Sequence, residues 1–129
     1  MTTVDRIFLG KSGEEAACVE LRRRGYAILA RRYRTRIGEI DIVARDGPTL
    51  VFVEVKARTS ARYGHPAEAV ILHKQAKLTA MAEDYLSRCG PGARDRPCRF
   101  DVVAVTLGEQ GEAATIEVIP NAFDAVEWR

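Results

Sequence analysis

The sequence predicts an α/β fold, with one mixed sheet flanked by helices, in a single domain covering residues 1–129. Three observations predict it. Runs rich in β-branched and aliphatic residues recur at "YAILARRYR", "IGEIDIVA", "LVFVEVKA", "CRFDVVAVTL" and "ATIEVIP". Two stretches, one ahead of the first run and one between the third and fourth, carry apolar residues at helical spacing. The 129 residues are 47% hydrophobic and 29% charged, the balance of a globular domain large enough to bury a core.

The elements follow in order. "SGEEAACVELRRRG" predicts a helix with Ser12 as N-cap, Glu15 completing an S-x-x-E capping box, and Gly25 as the left-handed stop. Ala17, Cys18 and Leu21 give that helix its apolar face. A strand over 26–34 comes next, then two more over 37–44 and 50–57, joined by the turn signal Arg45-Asp46-Gly47-Pro48. From Val70 to Arg88 a second helix carries Leu72, Gln75, Leu78, Ala82, Tyr85 and Leu86 on one side. After the loop "GPGARDRP" come a buried-type strand over 98–107 and a short last strand over 114–120. The order α-β-β-β-α-β-β predicts an antiparallel meander followed by a right-handed parallel crossover.

Composition excludes several function classes. No apolar run approaches the ~18 residues that span a bilayer, so no membrane role is expected. The start "MTTVDRIFLGKSGEE" lacks the basic-then-apolar pattern of an export signal. Three cysteines, Cys18, Cys89 and Cys98, are an odd number at spacings that fit no zinc motif, and they read as reduced thiols of a cytoplasmic protein. The net charge is only +2, but it is divided: through residue 65 there are 13 Lys/Arg against 8 Asp/Glu, and beyond it 7 against 10. Seven arginines fall between Arg22 and Arg36, where guanidinium groups suit phosphate oxygens; a solvated helix end and strand face would carry the same residues.

The hairpin "GEIDIVARDGPTLVFVEVK" places charges inside strands, where burial without a partner is costly. Alternation puts Phe52, Glu54 and Lys56 on one face of their strand and Val51, Val53 and Val55 on the other. With a turn over 46–49, residues whose numbers sum to 95 face each other, and Asp41 stands opposite Glu54. A two-residue loop is expected to set Asp41 opposite Phe52, with Glu54 on the diagonal. Either register brings two carboxylates together, and like charges so placed demand a cation. Lys56 offers one. A divalent metal offers a stronger one, since two carboxylates, a backbone carbonyl and water suit Mg²⁺ or Mn²⁺. Beside such an ion, Lys56 would orient the attacking water or neutralise charge on the phosphate oxygens. A weak Glu–Lys pair on a wet sheet face is the structural alternative.

The pattern D-x₁₂-E-x-K across a hairpin resembles the PD-(D/E)XK nuclease superfamily, with Ile40 where the motif's name has proline. "GxxGEExAxxxLxxxGYxIxxRRYR", "GEIDIVA", "VFVEVKAR", "YGxPAEAV" and "HKQAKL" resemble, in order, the bacterial YraN family. The resemblance implies a restriction-endonuclease-like α-β-β-β-α-β core similar to archaeal Holliday-junction resolvases. It implies Asp41 and Glu54 as metal-binding acids, the Val55 carbonyl as a third ligand, and Lys56 as the motif lysine. Glu14 matches the additional acid of resolvase-like members, in a first helical turn where the dipole favours an acid in any case. Glu39, on the strand face of Asp41, reads as an acid supporting it.

Arg31, Arg32, Arg34, Arg58, Arg62, Tyr63, Lys74 and Gln75 are the candidate nucleic-acid contacts. Asp101 reads as paired with Arg99 or with a helix rather than as catalytic. The expected activity is metal-dependent phosphodiester hydrolysis by an endonuclease, with DNA as partner, branched DNA as a candidate substrate, and a homodimer if two strands are cut symmetrically. The alternative is a nucleic-acid-binding protein of the same fold that does not catalyse.

Overall fold

The structure, a computed structural model, describes residues 3–58, 72–108 and 113–125. It begins with helix α1, Thr3–Arg23. The helix starts well ahead of the predicted cap, so Ser12 lies in its interior and Glu14 is not in a first turn. A capping box is a local signal, and Val4, Ile7 and Phe8 already carry the helical spacing upstream of it. The stop is where the sequence places it. Gly25 has φ 92; its N–H donates to the Arg22 carbonyl at 3.0 Å and the Tyr26 N–H donates to Leu21 at 2.9 Å. That is the paired-bond ending open to glycine in the left-handed region.

Strands β1 (Ala27–Thr35), β2 (Gly38–Asp46) and β3 (Thr49–Arg58) form the antiparallel meander. Helix α2 (Leu72–Arg88) connects β3 to β4 (Cys98–Leu107), which pairs with β3 in parallel, and β5 (Ala113–Phe123) closes the sheet antiparallel to β4. The sheet order is therefore β1-β2-β3-β4-β5, mixed as the crossover requires. This is the restriction-endonuclease-like core. β5 is longer than the short strand expected, and its Pro120 is tolerated because β5 is an edge.

The β2–β3 turn is the two-residue loop Gly47-Pro48, closed by Asp46 opposite Thr49. That loop shares its midpoint with a turn over 46–49. The register consequently still sums to 95, and Val43, not Asp41, faces Phe52.

Each helix covers one face of the sheet. On one side, Ala17, Cys18 and Leu21 of α1 pack on Ile42, Val51, Val53, Val103 and Val105. On the other, Leu78, Met81, Ala82 and Leu86 of α2 pack on Ile40, Val43, Phe52, Phe100 and Val102. Leu72, read as part of the second helix's apolar side, is 67% exposed; the stripe begins instead at Ala76. Gly13 lets α1 approach β3 closely, since a Cβ there would lie 2.6 Å from that of Ala57.

Asp101 is fully buried. It accepts from Arg99 Nε at 3.0 Å, from the Asn121 N–H at 2.9 Å and from the Tyr26 hydroxyl at 3.3 Å. Arg99 continues to Asp46 at 2.9 Å, so the network ties the exit of α1 to β2, β4 and β5. Among the described residues, no helix is long and apolar enough to cross a membrane.

Candidate active site

The site is built where β2 and β3 separate. Their ladder runs from Asp46–Thr49 to Ile42–Val53, and beyond it β3 pairs with β4 through Arg58. At the fork stands Asp41, whose Oδ2 accepts the Val55 N–H at 2.8 Å. A side-chain oxygen thus takes the donor that the diverging strand no longer serves, as a buried backbone donor requires.

The fork coincides with a reversal in β2. Ile40 and Ile42, two residues apart, share a face in a regular strand, yet Ile40 packs under α2 and Ile42 under α1. On the facing strand, Arg31 pairs with Ile42 and Tyr33 with Ile40, and Arg32 between them has φ 51. A left-handed arginine inside a strand is a local strain that surrounding contacts must hold. Glu14 of α1 supplies them: its two carboxylate oxygens lie 3.2 Å from Arg31 Nε and 3.1 Å from Arg32 Nε. Arg31 also reaches Glu15 at 3.1 Å.

Glu54 is 6% exposed on the next strand. Its Oε1 lies 3.7 Å from Lys56 Nζ and 3.6 Å from Lys74 Nζ of α2. Its Oε2 is buried and has no hydrogen-bond partner among the described residues. Burial pushes the Asp41 carboxyl up to about 7, and the charge of Glu54 adds to the rise. The Val55 N–H and Lys74 act against it, and Glu14 adds a smaller push upward. The two acids therefore stand close enough to repel each other, with the ammonium groups of Lys56 and Lys74 set against Glu54.

A model of the uncharacterised protein family UPF0102 matches residues 13–105, which contain every residue of this fork. The chain belongs to that family. UPF0102 is the YraN family whose motifs the sequence resembles. A UPF0102 protein of Symbiobacterium thermophilum is 50% identical over 117 residues, covering 91% of this chain and 97% of that protein. One of Caldicellulosiruptor saccharolyticus is 45% identical over 115 residues, covering 89% and 96%. One of Geobacter metallireducens is 48% identical over 116 residues, covering 90% and 92%.

In this UPF0102 fold the remaining candidates are placed unevenly. Arg31 and Arg32 are half-turned to Glu14 and Glu15, whereas Arg34 is 82% exposed and pairs with Glu39 at 3.1 Å. Glu39, read as an acid supporting Asp41, is half-buried and pairs with Arg34 instead. Arg58 ends β3, half-buried, and Gln75 follows Lys74 on α2, also half-buried. Arg62 and Tyr63 lie outside the described residues. Sequence reasoning missed the Asp41–Val55 bond and the approach of Lys74 to Glu54. The first carries no sequence signal, and the second depends on how a crossover helix lies on the sheet.

The described residues contain no group of three or more His, Cys, Asp or Glu arranged to hold a metal. Two carboxylates, with the Val55 carbonyl that the family resemblance implies, would make a donor set suited to a hard cation completed by water. Such a set suits two features of the fork: a hard cation would satisfy the Glu54 Oε2 that has no hydrogen-bond partner among the described residues, and would offset the rise that burial and Glu54 give the Asp41 carboxyl.

Proposed function

We propose that this UPF0102 chain is a divalent-metal-dependent endonuclease that hydrolyses phosphodiester bonds in nucleic acid, DNA in the first instance and branched DNA as a candidate substrate. The observation that supports this most is the buried Oε2 of Glu54, without a hydrogen-bond partner among the described residues, beside a carboxyl shifted up to about 7 at Asp41. A protein that only grips phosphate has no use for paired acids facing it. Asp41 and Glu54, with the Val55 carbonyl, would hold Mg²⁺ or Mn²⁺. When bound, such an ion supplies a Lewis acid for a phosphoryl oxygen and an acidified water.

The chain's own groups do the rest. Asp41 must lose its proton to serve, and its bond from the Val55 N–H keeps one oxygen oriented. Lys56 extends from the same strand face as Glu54 and presents an ammonium to the oxygens on which charge accumulates. Glu14 sets the electrostatic background from α1, and its hold on Arg31 and Arg32 fixes the reversed segment opposite Asp41. Arg34 and Arg58 would contact the backbone of the substrate through its phosphates.

A second reading, a nucleic-acid-binding protein of this fold that does not cut, draws on one observation. Glu14 is neutralised by two arginines, which leaves two acids rather than three at the fork. A cleavage panel of linear, flap, splayed and four-way DNA with Mg²⁺ or Mn²⁺, run beside Lys56→Ala, separates the two. The endonuclease reading expects metal-dependent cutting that Lys56→Ala removes while binding survives. Binding without cutting by the parent on every substrate favours the second.

A further inference from the structure

Helix α2 brings a second amine to the acid pair. Lys74 is the third residue of α2, and its Nζ lies 3.6 Å from Glu54 Oε1, where Lys56 Nζ approaches to 3.7 Å. Both are ion pairs longer than a direct hydrogen bond, and the opposite oxygen of Glu54 has no partner among the described residues. Glu54 is therefore balanced by charge from two sides rather than held by short bonds.

The two amines differ in what carries them. Lys56 is on Glu54's own strand, two residues along, so their relation is set by strand geometry. Lys74 reaches across from another element. It stands in the first turn of a helix, where the dipole disfavours a cation, and that turn contains no acid of its own to offset it. What favours an ammonium at this place is the acid pair across the gap. Its side chain is 35% exposed, so an outward path is open.

We propose that Lys74 is an exchangeable internal cation: its ammonium neutralises the Asp41–Glu54 pair in the metal-free protein and is displaced towards the substrate phosphates when a divalent cation takes the pair. The inference rests on the divalent-cation reading of the fork. A dication and an ammonium repel each other at one carboxylate, and the ion with two charges wins there. The displaced ammonium then lies at the rim, on the side from which a phosphate must come. Phosphate contact by Lys74 thereby becomes conditional on metal, which would couple substrate grip to a loaded site.

The test is calorimetric titration of Mn²⁺ into the metal-free full chain, with thermal melting of the same samples, for the parent, Lys74→Met, Lys74→Arg and Lys77→Met. Lys77, one turn along α2, lies beside Gly38 and controls for a general loss of positive charge. Lys74→Met should bind Mn²⁺ about tenfold more tightly. Its metal-free melting temperature should fall by about 3 °C, because the acids lose a counter-ion. Lys74→Arg should keep the parent values, and Lys77→Met should leave Mn²⁺ affinity unchanged. Lys74→Gln serves as a second neutral variant should the methionine variant fold poorly. Equal affinity in the parent and the neutral variants, weaker affinity in the variants, or no binding in any of them overturns the proposal. Cleavage is not read, so a chain that exchanges Lys74 for Mn²⁺ yet cuts nothing retains this inference and loses only the endonuclease.

Discussion

Asp41 Oδ2 accepts the N–H of Val55 at 2.8 Å, across the point where β2 and β3 part. One bond thus fixes both the acid and the strand that carries Glu54 and Lys56. It also leaves Asp41 within the field of Glu54, which raises its proton affinity in addition to burial. Geometry and charge at the fork have a common origin in the end of one ladder.

Asp41→Asn and Glu54→Gln should each lower metal-dependent cleavage by roughly 100-fold or more, because each removes a charge that holds the cation. Nucleic-acid binding should persist or strengthen, since a charge repelling phosphate is gone. Single-turnover cleavage and a filter-binding titration at fixed salt check both halves.

The shift of Asp41 gives a pH dependence with a definite sign. Its carboxyl titrates at about 7 in the folded chain against 3.8 ordinarily, so between these values the folded state holds a proton that the unfolded chain has released. The stability from this group is full below the lower value and is lost as pH rises through the upper one. Metal-free melting temperature should fall between about pH 4 and about pH 7 and level off above that, and Asp41→Asn should flatten the fall. Mn²⁺ competes with the same proton, so its affinity should rise over that interval.

Arg31 and Arg32 differ from Arg34 in a way stability will show. Both hold the buried Glu14, whereas Arg34 meets only the part-exposed Glu39. Replacing Arg31 and Arg32 with Gln leaves an uncompensated buried acid and should cost about 1–2 kcal/mol, less than a fully buried pair because both arginines are partly solvated. Urea unfolding should show this loss, its relief when Glu14→Gln is added, and a change within about 0.5 kcal/mol for Arg34→Gln alone.

Gly13→Ala places a methyl 2.6 Å from the Ala57 Cβ and must push α1 away from β3. A loss of about 1–3 kcal/mol is expected, as for an overpacked core. Ala57→Gly in the same chain should restore most of it, which a double-mutant cycle in urea measures.

How much of this was legible in the sequence depended on how local the cause was. β4 is legible to the residue, Cys98–Leu107, because a run rich in β-branched and apolar residues there lies between Pro97 and Gly108. Gly25 was read as a stop because the left-handed region is a property of one residue. The start of α1 was misplaced because Ser12 and Glu15 form a cap only if the chain ahead of them is not helical. The reversal at Asp41 left no mark, since an arginine with positive φ at position 32 is held by Glu14, eighteen residues earlier. Lys74 could be read as a candidate nucleic-acid contact or a solvated helix amine but not as a partner of Glu54, because its distance to Glu54 depends on the placement of α2 across the sheet.

The central claim is that Asp41 and Glu54 together hold one divalent cation. Electron paramagnetic resonance of free Mn²⁺, titrated with the metal-free chain, counts bound ions without requiring a substrate. The account predicts one ion bound per chain in the parent and none in the Asp41→Asn, Glu54→Gln double variant. Equal Mn²⁺ binding by the parent and the double variant, or none by either, would contradict it.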